Sequence, residues 1–181
     1  HHVQHELVGV SYRAADVALR WTELALDVSE FATRYNLGAP KRWSSLRVAY
    51  HSACSLQHGQ QITDEPKLLL KKAGFAVLDI PEGHICCGSA GTYNILQPEI
   101  AGQLRERKLR NIYSVKPDLV AAGNIGCITQ IGLGSSVPIV HTAELLDWAY
   151  GGPVPRGLEQ FASFMTDVPE PKRVVDDYVR G

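Results

Sequence analysis

Four short apolar segments, Arg47–Tyr50, Phe75–Ile80, Leu119–Ala122 and Pro138–Val140, alternate with helix-patterned stretches. This alternation constrains the fold more than any other feature of the chain. Strands that alternate with helices form parallel sheets, because a parallel connection needs a crossover long enough to hold a helix. Right-handed crossovers then place helices on both faces of the sheet. The expected fold is therefore α/β: a Rossmann-like parallel sheet of about four strands, covered on both faces. The intervening helices are expected at Asp64–Lys72 with Thr63 as cap, from Gly91 to about Tyr113, at Ile128–Leu133, and at Ala143–Tyr150 with Thr142 as cap.

Ahead of the first strand, Val17, Trp21, Leu24, Val28, Phe31 and Tyr35 are spaced alternately by four and three residues. Such spacing lays an apolar stripe along one helix face, and one long helix over Ala14–Tyr35 is predicted, its stripe packing into the core or a subunit interface. Gly38 and Pro40 end it. Beyond Gly151-Gly152-Pro153, the tail carries further prolines and an apolar patch at Leu158, Phe161 and Phe164, which reads as a packed, irregular extension. The chain thus divides into a helix and linker (1–46), an α/β domain (47–152) and an extension packed on it (153–181).

The chemistry lies in four cysteines. Cys54, Cys86, Cys87 and Cys127 each follow the end of an expected strand. Ligands bind parallel sheets beyond the carboxyl ends of the strands, so three loops would bring four thiols to one edge. The gaps are long, thirty-one residues from Cys54 to Cys86 and thirty-nine from Cys87 to Cys127. They differ from the tight spacings of zinc ribbons and ferredoxins, so the fold and not a local motif would assemble the site. Adjacent Cys86 and Cys87 suit a body with several metal atoms better than one small ion. An iron–sulfur cluster is preferred, while mononuclear zinc, a disulfide and plain buried thiols stay open.

Four histidines, His51, His58, His84 and His141, fall near the same edge. His141, immediately after the fourth strand, is the leading non-cysteine candidate, followed by His84. Gly88 would let the backbone bend around a cluster. Gly88–Gly91 lacks the lysine of a phosphate loop and the spacing of a dinucleotide fingerprint. No arrangement for nucleophilic or acid–base catalysis stands out, so no catalytic residue is nominated.

A net charge of −1 gives no general case for nucleic acid or an anionic membrane. The basic run Arg105, Arg107, Lys108 and Arg110 reads as a solvated helix face. No signal peptide or membrane-length apolar stretch is present, which makes a cytoplasmic setting the default and structural disulfides unfavoured. The chain opens on His1-His2, not on Met, as a piece of a longer protein would.

The segments VAYHSACSLQHGQ (48–60), IPEGHICCGSAGTYNILQPE (80–99), AGNIGCITQI (122–131) and PIVHTAELLDWAYGG (138–152) closely resemble the C-terminal cysteine-rich (CCG) domain of glycolate oxidase iron–sulfur subunits. DVSEF (27–31) resembles it more faintly. The resemblance implies metal ligands at Cys54, Cys86, Cys87 and Cys127, with Gly88, His84 and His141 beside the cofactor. It implies a 4Fe-4S-type cluster, with zinc as the alternative, and an electron-transfer role. FAD would sit only on partner subunits that oxidise glycolate to glyoxylate. Other implied partners are a ferredoxin-type domain of the same subunit and, through the complex, the inner face of the membrane. The family pattern ends in Cys-x-x-Cys, but the position corresponding to its last cysteine is Gln130 here. No ferredoxin-type motif is present either, so the chain reads as one domain of such a subunit, inactive alone.

Overall fold

The computed structural model describes residues 12–168. Its helices are α1 (Tyr12–Leu24), α2 (Val28–Arg34), α3 (Glu65–Lys72), α4 (Tyr93–Leu96), α5 (Pro98–Ser114), α6 (Ile125–Gly132) and α7 (Thr142–Ala149). Its strands are β1 (Arg42–Ser44), β2 (Arg47–His51), β3 (Ala76–Asp79), β4 (Leu119–Ala122), β5 (Ile139–His141) and β6 (Met165–Asp167). Strands β2 to β5 form the expected parallel sheet, in the order β3-β2-β4-β5. In register, Ala49 lies between Leu78 and Val120, and Ala121 lies between Tyr50 and Val140.

The two central strands read as continuous apolar runs because both their faces are covered. Val48, Tyr50, Leu119 and Ala121 point into one core with Leu70 of α3 and Leu145 and Trp148 of α7. Ala49 and Val120 point the other way, against Leu109 and Ile112 of α5 and Ile131 of α6. Burying a Leu or Ile side chain contributes roughly 1.5–3 kcal/mol, so both layers hold the sheet.

Helix boundaries differ from expectation: the helix expected from Gly91 to about Tyr113 is two, α4 and α5, with Pro98 opening the second, and α6 starts at Ile125 instead of Ile128. The single helix predicted over Ala14–Tyr35 is two, because Asp27 caps α2 inside the apolar stripe. Asp27 Oδ1 accepts from the Ser29 N–H (2.8 Å), and Glu30 accepts from the Asp27 N–H (2.9 Å). This capping box offers the backbone a helix start that a continuous helix would forgo. The stripe does not enter the core: Val17, Trp21, Leu24, Val28, Phe31 and Tyr35 are all exposed, and α2 buries Ser29 and Ala32 instead. Asp64, not Thr63, holds the N-cap position of α3. His141 takes the cap position predicted for Thr142 at α7: its Nδ1 accepts from the Ala143 N–H (3.1 Å), and Glu144 accepts from the His141 N–H (2.9 Å).

The flanks hold two strands that three-residue patterns do not reveal. β1 and β6 pair antiparallel, with Trp43 opposite Thr166. Arg42 fastens this ribbon to the end of α7 by donating to the carbonyls of Trp148 (3.2 Å) and Gly152 (2.7 Å). Leu158 is fully buried against the first core, ahead of a 3-10 turn at Glu159–Phe164. The rest of the predicted tail, 169–181, lies outside the described residues.

Candidate metal centre

All four cysteines are free thiols at the carboxyl edge of the sheet. The chain leaves β2 at His51 and enters a π-helical turn, Ser55–Gln60, directly after Cys54. Ala53, Leu56 and Ile62 sink into the second core and hold this turn in place, which leaves Cys54 exposed. After β4, Asn124 caps α6: its Oδ1 accepts from the N–H groups of Gly126 (2.9 Å) and Cys127 (3.2 Å). The cap sets Cys127 in the first turn of α6.

The loop after β3 carries Cys86, half-buried, and Cys87, only 1% exposed. α5 clamps it. Asn111 donates to the Pro81 carbonyl (3.0 Å) and the Glu82 carboxylate (2.8 Å), and Arg107 pairs with that carboxylate. Lys108 is 0% exposed and donates to the carbonyls of Glu82 (3.1 Å) and Gly83 (3.4 Å). This corrects the reading of the basic run as a solvated face at Lys108, whereas Arg107 and Arg110 are exposed. A buried lysine is rare, and here its ammonium reaches the loop from α5.

Gly88 lies against a neighbouring helix. It has φ +92°, and a Cβ there would lie 2.5 Å from the Ala101 carbonyl oxygen. The missing side chain admits the backbone of α5. Gly88 N–H donates to Cys86 Sγ (3.3 Å).

These elements bring His51, Cys87 and Cys127 together, with ligand atoms all within 4.8 Å of one another. Cys54 lies within hydrogen-bonding reach of Cys86, and Cys127 feels the charge of both. Cys87 is the thiol most readily ionised. The Cys127 thiol donates to it, and His51 and the Ser89 N–H add to the effect, outweighing burial. Cys127 is pushed up because it holds that shared proton, and burial adds to the shift. Burial raises Cys86, and it lowers Lys108 against the opposing pull of the neighbouring thiolates.

The structure gives the four histidines different surroundings. His141 Nδ1 is engaged in capping α7, and His84 lines a cavity beside the loop. His58 reaches only the His84 carbonyl, at 3.5 Å. His51 is set against Cys87 and Cys127, 2% exposed, and its buried ring nitrogens have no partner beyond these thiols. Its position as the last residue of β2 is the signal that could have singled it out. Gln130, at the position of the absent fifth cysteine, ties three helices together instead. It accepts from Asn94 of α4 (3.3 Å) and donates to the Ala101 carbonyl of α5 (3.4 Å).

The donor set fits a thiophilic metal group. Zn–S bonds of 2.3 Å put sulfurs about 3.8 Å apart around one ion, so the inner three ligands need close by no more than about 1 Å. An orphaned buried imidazole beside two thiols has no other polar partner to satisfy it.

A parallel sheet with thiols gathered at its carboxyl edge defines the class, a cysteine-rich α/β domain. Residues 48–132 match the CCG family, described as the cysteine-rich domain. The chain is homologous to the glycolate oxidase iron-sulfur subunit of Escherichia coli (strain K12), 36% identical over 135 residues. That match covers 75% of this chain and 33% of the relative. Lactate utilization protein A of Oceanobacillus iheyensis is 31% identical over 107 residues, 56% of this chain and 44% of the relative. The probable glycolate oxidase iron-sulfur subunit of Bacillus subtilis (strain 168) is 32% identical over 112 residues, covering 58% and 25%. The chain therefore spans less than half the length of each of these relatives. Among the described residues no helix is long and apolar enough to cross a membrane.

Proposed function

We propose that this chain is the electron-transfer domain of an oxidoreductase complex, holding an iron–sulfur group of 4Fe-4S type on Cys54, Cys86, Cys87 and Cys127. The observation that carries this reading is the convergence of four free thiols from three loops on one sheet edge. The names of the relatives support a complex that oxidises glycolate or a similar 2-hydroxy acid. The partners would then be flavin-carrying subunits and a ferredoxin-type domain of the same subunit, with the assembly cytoplasmic and at the inner face of the membrane. Bound there, an iron–sulfur group supplies one-electron redox capacity.

The chain's own residues prepare the site. Asn124 orients Cys127, the Gly88 N–H donates to Cys86, and Lys108 holds the Cys86–Cys87 loop on α5. Lys108 also offsets negative charge that builds up as the thiols ionise. His51 and His141 stand at the ends of β2 and β5, the first against the thiols and the second fixing α7.

A second reading has its own observation. His51, Cys87 and Cys127 form a compact triad of the kind zinc takes, with the fourth ligand from Cys54 or Cys86. The domain would then be a zinc-stabilised scaffold, and electrons would pass elsewhere in the complex.

Metal and acid-labile sulfide analysis of protein purified without oxygen, alongside a visible spectrum, separates the two. Iron and sulfide with broad brown absorbance establish the electron-transfer reading. One zinc per chain without colour overturns it in favour of the scaffold.

A further inference from the structure

Beside the thiols lies a cavity of about 300 Å³, between the carboxyl ends of β2 and β3 and the π-helical turn. No cysteine lines it. Its polar wall is His51, Ser52, Gln57, Thr63, Lys67 and His84, with Asp79 at its edge. We propose that this cavity is a binding site for a small carboxylate anion.

The first argument is unmet hydrogen bonding. Ser52 Oγ and Gln57 Nε2 are buried without a partner, and the buried ring nitrogens of His51 have none beyond the thiols. Each such group costs about 1–3 kcal/mol, against a total stability of about 5–15 kcal/mol for a domain. Orphaned groups on three successive parts of one wall, His51, Ser52 and Gln57, therefore call for an occupant.

The second argument is polarity. Gln57 Nε2 can only donate, Lys67 brings an ammonium, and the hydroxyls of Ser52 and Thr63 can each donate. The one carboxylate, Asp79, is bound to Lys67 at 2.6 Å and turns outward, 76% exposed against 30% for the lysine side chain. A wall rich in donors and carrying an ammonium complements a ligand that only accepts hydrogen bonds. An ionised carboxylate is such a ligand.

The third argument is size and place. About 300 Å³ is the low end of small-molecule pockets, suited to an acid of a few carbons. The cavity sits at the carboxyl ends of parallel strands, where open α/β sheets bind ligands. His51 joins it to the thiols: the ring lines the cavity and lies within 4.8 Å of Cys87 and Cys127. The imidazole has two nitrogens and two neighbours to serve, so carboxylate binding and metal binding share one residue.

The test needs no metal. Metal-free protein labelled with nitrogen-15 is titrated with acetate at constant ionic strength, and with chloride and inorganic phosphate in parallel. Saturable shifts in the Gln57 side-chain amide and the backbone amides of His51–Ala53 are expected with acetate. Gln57→Glu sets a carboxylate against the ligand and should abolish the shifts of the His51–Ala53 backbone amides. Ser52→Ala should weaken binding about tenfold, the loss of one hydrogen bond to a charged acceptor. Lys67→Met is the second variant should Gln57→Glu not fold. Linear, non-saturating shifts, equal response to chloride or phosphate, or undiminished affinity in every variant would overturn the proposal. Because no metal enters the titration, its failure leaves the iron and sulfide result standing, and a colourless preparation leaves this result standing.

Discussion

Gly88 and Lys108 show how single residues set the thiol loop. At Gly88 a left-handed φ and a backbone contact coincide, so Gly88→Ala meets both strain and a clash with the Ala101 carbonyl. Each costs about 1–3 kcal/mol, and a loss of roughly 2–4 kcal/mol in denaturant unfolding is expected, together with reduced zinc stoichiometry. Gly91 supplies the contrast, since its φ is +65° but no atom lies within 4 Å of its would-be Cβ. Gly91→Ala should carry the strain alone. Lys108→Met keeps most of the side-chain volume but strips the Glu82 and Gly83 carbonyls of their donor. Buried carbonyls without a partner cost about 1–3 kcal/mol each at most, so the variant should unfold at lower denaturant and bind thiophilic metals more weakly. Unchanged unfolding would show that water replaces the ammonium.

At the scale of elements, one face of α5 holds the loop and one capping box divides the N-terminal helices. The Arg107 guanidinium, with help from Asn111, holds the Glu82 carboxyl down to about 2 from its ordinary 4.5. A carboxyl depressed by folding contributes stability that is complete above its ordinary value and disappears as pH falls through the folded one. The clamp on residues 81–83 should therefore loosen between pH 4.5 and about 2. Proteolysis of the loop at successively lower pH reads this directly, and salt should enhance the loosening because the pair is exposed. In the N-terminal region, Asp27→Ala removes the cap of α2. A cost of about 1 kcal/mol is expected, with fraying of α2 visible in amide exchange while the sheet amides stay protected.

For the whole molecule, the sheet and the thiol edge are separable in energy. Val48, Val120 and Leu119 are buried between two helical layers, and most of the packing in both is by apolar side chains. Cys87→Ser should abolish metal uptake yet keep the far-ultraviolet spectrum and a cooperative thermal transition in the metal-free protein. The buried hydroxyl costs about 1–3 kcal/mol, a shift of the midpoint and not a loss of fold. Full metal content in that variant would remove Cys87 from the ligand set. Collapse of the sheet would instead show that the thiol loop is part of the core.

Local backbone periodicity was legible without coordinates. β2 to β5 fall within a residue or so of the apolar segments, because strands buried on both faces leave continuous apolar runs and the helices between them leave a 3.6-residue repeat. The cysteines at strand ends followed from the same pattern, since chain direction in a parallel sheet sends every such loop to one edge. Asp27 and Glu30 already spell a capping box, but the apolar stripe masked it. The sequence alone therefore determined the sheet, its edge and the thiols on that edge. Only the tertiary structure decided that His51 faces them, that Lys108 turns inward, that Gly88 lies against α5, and that β1 meets β6. Each of these depends on which distant elements come to lie side by side, and no periodicity within one element records its neighbours.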